Sequence, residues 1–296
     1  MQKITPCLWF NGNAAEGAQF YTDLFPDSRV VTTSRYPDEG LPDFQKEMAG
    51  KVLAIDFELG GFRFTGINAG PEYPITPAIS FMVNLDPSHD DDAEARLNEL
   101  WAALENGGET LMPLGQYPHS TRYGWVQDRF GVSWQLMLAN PGGERAPFIV
   151  PNLLFGGSAQ NRAAEARAYY TSIFSDSRTA TVMEYPEQTG PAAAGAVMFS
   201  DFTLAGQWFA AMDSRVEQSF SFTEGVSLVV TCADQDEIDR LWAALSEVPE
   251  AEQCGWCKDR FGVSWQIVPE NMGELMSRPG AFDNMMAMKK LEIAGF

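Results

Sequence analysis

Apolar and polar positions along the chain follow two alternating patterns. Residues 4–10, 52–59 and 78–85 are short apolar runs bounded by Gly, Pro, Asn or Asp, which is typical of β-strands. Residues 14–25 and 97–104 instead carry apolar side chains three or four positions apart, as expected for helices with one buried face. Their order in the first half predicts a β-α-β-β-β unit that occurs twice.

The second half of the chain repeats the first. The string DRFGVSWQ occupies residues 128–135 and recurs unchanged at residues 259–266, and LWAAL at residues 100–104 recurs at residues 241–245. Matches of this length indicate an internal duplication, which has to be recognised before a fold is assigned. The sequence therefore predicts four β-α-β-β-β units in two tandem copies.

The repeat predicts two domains, a linker and a tail. The stretch NPGGERAP is rich in residues that interrupt helices and strands. The tail has no counterpart in the first half, and its sequence predicts a Met-rich helix followed by a short strand from Lys290 to Ala294. We expect this tail to pack across both domains. The predicted boundaries are 1–140 for the first domain, 141–147 for the linker, 148–270 for the second domain and 271–296 for the tail.

Composition narrows the classes of partner. The chain has 296 residues, 45% of them apolar, and carries 40 Asp and Glu against 20 Lys and Arg. This acidity argues against binding to nucleic acid or to anionic membrane surfaces. There are four cysteines without a disulfide pattern, no apolar run of about 20 residues for a membrane span, and an N-terminal apolar run too short for a signal peptide. Together these features predict a soluble, cytoplasmic protein.

The repeated unit resembles a known superfamily. Paired β-α-β-β-β modules that end in a D-x-x-G-x-x-W-Q hairpin are similar to the vicinal oxygen chelate superfamily, which includes glyoxalase I, bleomycin-resistance proteins and extradiol dioxygenases. The opening P-x-L-x-F-x-G, the hairpin W-x-x-D-R-F-G-V-S-W-Q and the closing MMAMKKLEIA resemble its PhnB-like group. The resemblance implies an α+β fold of two tandem glyoxalase/bleomycin-resistance-like domains with curled mixed sheets. It also implies a pseudo-dimer within one chain, and leaves a homodimer of the whole chain open.

Members of the PhnB-like group are often labelled 3-demethylubiquinone-9 3-methyltransferase. A methyltransferase that uses S-adenosylmethionine usually needs a Gly-rich turn between a strand and a helix of a doubly wound sheet. The sequence contains no such unit. We therefore predict neither that activity nor a cofactor.

The resemblance also gives positions at which metal-using relatives carry their ligands. In each half of this chain, these positions hold one carboxylate and one amide, which bind a divalent ion weakly. The remaining positions hold Pro, Ala or Gly, whose side chains cannot bind a metal. With two histidines in the chain, we predict no bound metal. The implied positions are Pro6, Asp56, the neighbourhood of Ala78, and Gln135 in the first half, and Pro151, Asp201, Gly225 and Gln266 in the second.

Strand alternation predicts which side chains would face each cup-shaped sheet. The resulting surface is apolar with a few polar groups, and it suits a small organic ligand; cups filled by their own side chains are the alternative. The first predicted cup contains Leu8, Phe10, Ala54, Asp56, Glu58, Ser80, Met82, Ser133, Gln135 and Met137. The second contains Leu153, Phe155, Asp201, Thr203, Ser227, Val229, Ser264 and Gln266.

Two functions from different classes follow from these residues. The first is a protein that binds or sequesters a small apolar or aromatic molecule, as in the bleomycin-resistance branch. The second is an enzyme acting on a small metabolite, with Asp56 or Asp201 as a general base whose pKa burial would raise. Alternatively, each of these carboxylates forms a structural pair with Gln135 or Gln266.

Four further positions carry candidate chemistry. Cys254 and Cys257 form a C-x-x-C motif, but residues three apart on a strand point to opposite faces, so we expect two separately packed thiols. His89, beside three aspartates, either helps to hold a surface cation or belongs to a solvated helix start. His119 lies in a loop from which it could reach the mouth of a cup.

The arginines of the repeated string, Arg129 and Arg260, are expected to form structural salt bridges rather than to contact a substrate.

Overall fold

The computed structural model describes residues 2–41, 43–139 and 146–296. It contains four modules, each a strand, a helix and further strands. The first module comprises β1 (Ile4–Phe10), α1 (Ala14–Leu24), β2 (Arg29–Arg35), β3 (Val52–Leu59) and β4 (Phe62–Asn68). The second comprises β5 (Ile79–Leu85), α2 (Ala93–Glu105), β6 (Glu109–Tyr117), β7 (Ser120–Gln127) and β8 (Ser133–Leu138).

The second half repeats this order with one strand fewer. Most of the predicted linker, residues 140–145, lies outside the described residues. The third module comprises β9 (Ile149–Phe155), α3 (Ala163–Ile173), β10 (Arg178–Glu184), β11 (Val197–Leu204) and β12 (Gln207–Asp213). The fourth comprises β13 (Val226–Cys232), α4 (Gln235–Leu245), β14 (Trp256–Lys258) and β15 (Ser264–Pro269), and the tail forms α5 (Met272–Leu275) and α6 (Ala281–Ala287).

Each sheet combines strands from both halves of the chain. One has seven strands in the order β14-β15-β13-β1-β4-β3-β2, and the other has eight in the order β10-β11-β12-β9-β5-β8-β7-β6. The first therefore joins the first and fourth modules, and its face without helices is here named the terminal cup. The second joins the middle modules, and its face without helices is the central cup. The α+β fold of curled, mixed sheets is confirmed, but the predicted grouping of residues into one cup per half is wrong.

The two modules of one half contact each other through their helix-covered faces instead of through strand edges. Phe64 of β4 packs against Phe81 of β5, with ring centroids 4.8 Å apart. Tyr21 of α1 lies 5.4 Å from Trp134 of β8. This interior contributes to one large hydrophobic core that runs through the molecule. The free edges of β1 and β5 pair with β13 and β9 of the other half of the chain.

The repeated octapeptide builds the hairpin that joins these layers. Asp128 Oδ1 accepts hydrogen bonds from the backbone N–H groups of Phe130 and Val132 at 2.8 and 3.1 Å. Its Oδ2 accepts from the Tyr21 hydroxyl at 2.7 Å and from Trp134 Nε1 at 2.8 Å. Burial raises the pKa of Asp128 to about 6 although four donors favour its ionised form. One carboxylate thus connects helix, turn and strand of two modules.

The second copy of the octapeptide has the same geometry. Asp259 accepts from the backbone at Phe261 and Val263 at 2.8 and 3.0 Å, from the Tyr170 hydroxyl at 2.6 Å and from Trp265 Nε1 at 2.8 Å. Both copies of the string therefore make the same contacts between helix, turn and strand.

The two arginines of the string also lie outside the cups, but they differ in their contacts. The Arg129 guanidinium lies 4.2 Å from the ring centroid of Phe20. Arg260 forms an ion pair with Glu247 and lies 4.3 Å from the ring centroid of Tyr169. The predicted salt bridge is present at Arg260, whereas Arg129 makes cation–π contacts with Phe20 and, at 4.9 Å, with Phe130.

The tail takes the place of a strand that the fourth module lacks. In the second module β6 pairs with β7, and Gly115 lies opposite Tyr123. In the described part of the fourth module β14 is the edge strand, and the tail backbone covers the segment before it. The N–H groups of Cys254 and Gly255 donate to the carbonyl oxygens of Met288 and Lys289 at 2.9 and 2.7 Å. The predicted strand from Lys290 to Ala294 is wrong, because this segment is irregular and ends in a 3-10 turn (Ile293–Gly295).

Replacing Leu291 by Ala should lower the free energy of unfolding by about 2–4 kcal/mol, because it leaves a cavity in a packed contact. The Leu291 side chain is fully buried and packs against the backbone at Gly255. Urea denaturation of both proteins measures the loss. Lys289→Ala is the control, since its ion pair with Glu252 is on the surface and should contribute at most about 1 kcal/mol. Equal losses in the two variants would show that Leu291 does not anchor the tail.

Candidate functional site

The floor of the central cup is a hydrogen-bonded group of polar side chains. Gln135 donates from Nε2 to Ser80 Oγ at 2.8 Å, and its Oε1 accepts from the Tyr123 hydroxyl at 2.8 Å. Asn152 donates from Nδ2 to the same Ser80 oxygen at 3.3 Å. All four side chains are buried. Strands of the second module and β9 of the third module hold this floor together.

Apolar side chains form the wall of the central cup. They belong to a cluster that is separate from the main core. The Arg178 guanidinium of the edge strand β10 lies 5.0 Å from one of the Trp208 ring centroids. The members of the cluster are Met82, Val150, Ala210, Met137, Phe199 and Trp208.

One atom of this floor has no hydrogen-bond partner among the described residues. Asn152 Oδ1 is buried, and no described residue donates a hydrogen bond to it. Leaving a buried acceptor unsatisfied costs roughly 1–3 kcal/mol. The central cup therefore combines apolar walls with a buried acceptor at its floor that no described residue satisfies, an arrangement that suits a small molecule carrying a hydrogen-bond donor.

The terminal cup has a different surface, because a polar row crosses all seven strands of its sheet. Asp56 accepts hydrogen bonds from Thr32 Oγ1 at 2.6 Å and from Thr65 Oγ1 at 2.7 Å. Next to this row, Gln266 donates from Nε2 to Ser227 Oγ at 2.9 Å. Strand register places the row in the order Thr32, Asp56, Thr65, Cys7, Ser227, Ser264 and Lys258.

Cys7 lies at the centre of the polar row. Burial raises the pKa of its thiol to about 12, while hydrogen bonds with Gln266 and Ser227 act in the opposite direction. A thiol of such high pKa has almost no thiolate at neutral pH and is a poor nucleophile. Cys7 and its counterpart Asn152 occupy the floor positions that the family resemblance implies for the neighbouring prolines, Pro6 and Pro151.

Four residues predicted to face the cups point the other way. Leu8 and Phe10 of β1, and Leu153 and Phe155 of β9, are buried in the main core together with the helices. The prediction is wrong because nearly every residue of β1 and β9 is apolar, so polarity does not show which alternate set faces the helices. Cys7 and Asn152 lie on the uncovered faces instead.

The other predicted site residues lie on the uncovered sheet faces, divided between the cups differently from the prediction. Ser133 Oγ accepts from Trp125 Nε1 at 2.7 Å in the central cup. Thr203 Oγ1 accepts from the Arg178 backbone N–H at 3.1 Å near its edge. The central cup contains Ser80, Met82, Ser133, Gln135, Asp201 and Thr203, and the terminal cup contains Asp56, Glu58, Ser227, Ser264 and Gln266.

The predicted pairing of each aspartate with a glutamine is not present. Asp56 bonds to the two threonine hydroxyls given above, and Asp201 Oδ1 accepts from the Thr181 backbone N–H at 2.5 Å. Glu58 forms ion pairs with Arg63 and Arg29 at 2.8 and 2.7 Å at the edge of the terminal cup. Asp56 and Asp201 remain partly exposed, one on each cup surface.

The cysteine pair and His119 lie in distinct surroundings. Cys257 is buried in the core, whereas Cys254 is partly exposed with its Sγ 3.6 Å from Met286 Sδ; both thiols are free. The His119 ring lies 4.6 Å from the ring of Tyr123, whose hydroxyl holds the central floor. Burial lowers the pKa of His119. His119 therefore reaches the edge of the central cup, as the sequence allowed.

The donor atoms of the cups do not fit a tightly bound divalent metal. His89 is on the surface, where its Nδ1 lies 3.0 Å from Asp86 Oδ2. Within residues 2–41, 43–139 and 146–296, no group of three His, Cys, Asp or Glu side chains could hold a metal ion. Apart from the ion-paired Glu58, the site residues of each cup supply one carboxylate beside hydroxyl and amide groups, and the terminal cup adds the Cys7 thiol, which burial keeps protonated. These groups make a weak ligand set. No described helix is long and apolar enough to cross a membrane.

Two surface clefts of about 420 and 720 Å³ have linings that differ from the cup floors, and the smaller adjoins the terminal cup at Trp9. The smaller is lined in part by Trp9, Tyr73 and Arg129, and the larger by Arg96 and Phe148. Among the described residues that line these clefts, Arg96 Nε is the one buried polar atom without a hydrogen bond, and it already forms an ion pair with Asp90 Oδ2 at 3.0 Å. The described linings therefore contain no buried polar group that needs a ligand. The cups are therefore the better candidates for a ligand site.

Known proteins resemble this chain both in sequence and in fold. A PhnB protein from Bacillus cereus, described as a putative 3-demethylubiquinone-9 3-methyltransferase, is 38% identical over 47% of this chain and 100% of its own, with a TM-score of 0.40. Glyoxalase I from Zea mays is 12% identical over 92% of this chain and 95% of its own, with a TM-score of 0.55. A putative dioxygenase from Bacillus subtilis is 11% identical over 97% and 90%, with a TM-score of 0.52. No curated protein matches the chain.

The protein has the vicinal oxygen chelate fold, the architecture shared with glyoxalase I. This fold is defined by the paired modules, by sheets that contain strands from both halves of the chain, and by the two cups. The family model described as 3-demethylubiquinone-9 3-methyltransferase matches residues 2–137 and again residues 147–268. The chain therefore belongs to this PhnB-like family, as a tandem duplication of its domain.

Proposed function

We propose that the protein binds a small apolar or aromatic molecule in the central cup, without a tightly bound metal. The observation that carries the proposal is the buried Asn152 Oδ1, an acceptor without a partner among the described residues, beside apolar walls. The walls favour an apolar body, and the acceptor favours a ligand with one hydroxyl or N–H group. A hydrogen bond to this oxygen would contribute about 1 kcal/mol, or roughly a factor of five in affinity.

Methyl transfer is not part of this proposal, although it appears in the family's description. Both sheets are mixed, so Gly156 and Gly157, which lie between the parallel-paired strand β9 and α3, are not the Gly-rich turn of a doubly wound parallel sheet. That turn is the unit that a doubly wound nucleotide-binding fold uses. The family membership and the chemistry of the cups thus support binding more directly than they support this reaction.

Phenol and anisole test the proposal, because they differ in the hydroxyl donor. We expect phenol to bind more tightly and to shift the indole N–H signals of Trp125 and Trp208 in NMR spectra. Asn152→Leu should remove the preference for phenol, whereas Cys7→Ser, at the matching position of the terminal cup, should keep it. No binding of either compound, or an unchanged preference in Asn152→Leu, would contradict the assignment.

Native mass spectrometry of the untagged protein purified without chelator tests the metal-free part of the proposal. We expect the mass of the bare chain or of the chain with a small organic molecule. A stoichiometric adduct with the mass of a metal ion would contradict the argument from the donor sets and would favour an enzyme. Loss of turnover of a small metabolite in the double variant Asp56→Asn, Asp201→Asn would favour an enzyme that uses these carboxylates as bases.

A further inference from the structure

The duplicated fold allows the two cups to be compared residue by residue. At equivalent wall positions, the terminal cup has smaller or more polar side chains than the central cup. Ala54 replaces Phe199, and Thr65 replaces Ala210. The remaining exchanges have the same direction: Thr5 for Val150, Arg63 for Trp208, Val229 for Met82 and Val268 for Met137. The walls of the terminal cup are therefore more polar than those of the central cup.

Two acceptors in the terminal cup lack the partners that hold their counterparts. Gln135 Oε1 accepts from Tyr123, but the residue equivalent to Tyr123 is Cys254, whose thiol lies against Met286. Gln266 Oε1 therefore has no such hydroxyl. Ser264 Oγ is buried and has no hydrogen-bond partner among the described residues, whereas its counterpart Ser133 Oγ accepts from a tryptophan.

Charge at this surface favours a cation. The Asp56 carboxylate accepts only neutral hydroxyl donors in the described contacts. The neighbouring cations already have anionic partners, since Arg63 pairs with Glu58 at 2.8 Å and Lys258 with Glu224 at 2.6 Å. Asp56, the carboxylate of the polar row, therefore has no cationic partner in these ion pairs.

Aromatic rings border the same surface. Trp256 lies opposite Gln266 in the strand pairing, and its ring centroid is 5.8 Å from that of Trp9. Trp9 follows Cys7 by two residues on β1 and is therefore on the same face of the sheet. An ammonium group that reaches an indole face gains electrostatic attraction from the ring, and this gain grows when water is excluded.

We propose that the terminal cup is a second binding site, specific for a small organic ammonium ion. Its ammonium group donates to Asp56, and a further donor reaches the partly exposed Gln266 side chain. Its carbon skeleton lies on the indole rings of Trp9 and Trp256. The duplication has in this way produced one cup for an apolar molecule and one for a cation. Binding in the terminal cup does not depend on the function proposed for the central cup.

Butylammonium and 1-butanol test this site, because they have similar shape and differ in charge. The titration is followed in the full-length protein by the indole N–H signals of Trp9 and Trp256, assigned from Trp→Phe variants. We expect butylammonium to shift these signals and to bind at least about tenfold more tightly than the alcohol, in line with a partly desolvated cation–carboxylate contact. Asp56→Asn should weaken the binding of the ammonium ion by about tenfold and leave that of the alcohol unchanged.

Asp201→Asn is the matched control, because it changes the equivalent residue of the central cup. It should leave the affinity of butylammonium unchanged. Equal affinity for the ammonium ion and the alcohol, or full affinity in Asp56→Asn, would overturn the proposal. So would shifts confined to Trp125 and Trp208 of the central cup, or no shift with either compound at millimolar concentration.

Discussion

The two halves of the chain should stay together when the backbone is cut between residues 139 and 146. β1 pairs with β13, and β5 pairs with β9, so each sheet is continuous across the halves. Cutting one connection leaves these strand pairs and their shared core in place. A protease site inserted between residues 139 and 146 allows the test. Native mass spectrometry after cleavage should show one complex containing both fragments.

The first half refolded alone should form a homodimer. Without the second half, β1 and β5 lose their neighbours and expose unpaired strand edges, which readily pair with another chain. Because β13 is the duplicate of β5, and β9 is the duplicate of β1, a second copy of the first half offers both missing partners. Association then repeats the pairing seen within the intact chain.

Concentration-dependent sedimentation distinguishes the outcomes for this fragment. A dimer with native-like circular dichroism is expected, and a stable, folded monomer would contradict the importance of strand exchange. Cleavage inside the first module, between β2 and β3, is the control on the intact chain. It interrupts a single module without separating the halves, so the fragments should again remain bound, but with lower stability.

Much of this fold could be predicted from the sequence because its signals are local and duplicated. The octapeptide at residues 128–135 and 259–266 gave the repeat, and alternation gave the buried faces of β3, β5, β8, β13 and β15. Those strands each contain polar residues on one face, such as Asp56 or Gln135. Period-two alternation is informative only where the two faces differ in polarity.

The errors have two physical causes. In β1 and β9 both faces are apolar, so polarity could not assign Leu8 or Leu153 to a face, and both lie in the core. The second cause is that the pairing of modules into sheets depends on contacts between residues far apart in the sequence, and the possible partner strands are equivalent. β1 could pair with β5 or with its duplicate β13, and the local sequence is compatible with both.

The floor residues that sequence reasoning missed had weak signals. Cys7 and Asn152 differ from each other, and neither belongs to a motif. Tyr123 had a signal, since its counterpart in the repeat is Cys254, and such a change at one position of a repeated hairpin indicates divergence of the two copies. Comparison of the halves at every aligned strand position would have identified the differences between the cup walls.

Replacing Asp128 by Ala should lower the free energy of unfolding by about 3–5 kcal/mol, the range found when one partner of a buried charged network is removed. The substitution leaves four donors without their acceptor: the Tyr21 hydroxyl, Trp134 Nε1 and two backbone N–H groups of the turn. They are buried between two modules, so water replaces the carboxylate only in part. Urea denaturation followed by tryptophan fluorescence measures the loss.

Asp259→Ala provides an internal replicate, because Asp259 accepts from the same four kinds of donor in the second copy. Arg129→Ala is the control within the same turn, and it should cost about 1 kcal/mol or less because its cation–π contact is at the surface. The two aspartates lie in different copies of the hairpin, so their effects should add. Domains of ordinary stability have about 5–15 kcal/mol in total, and the double variant should therefore be largely unfolded. A loss at Asp128 no larger than that at Arg129 would mean that the repeated carboxylate is not what holds the modules together.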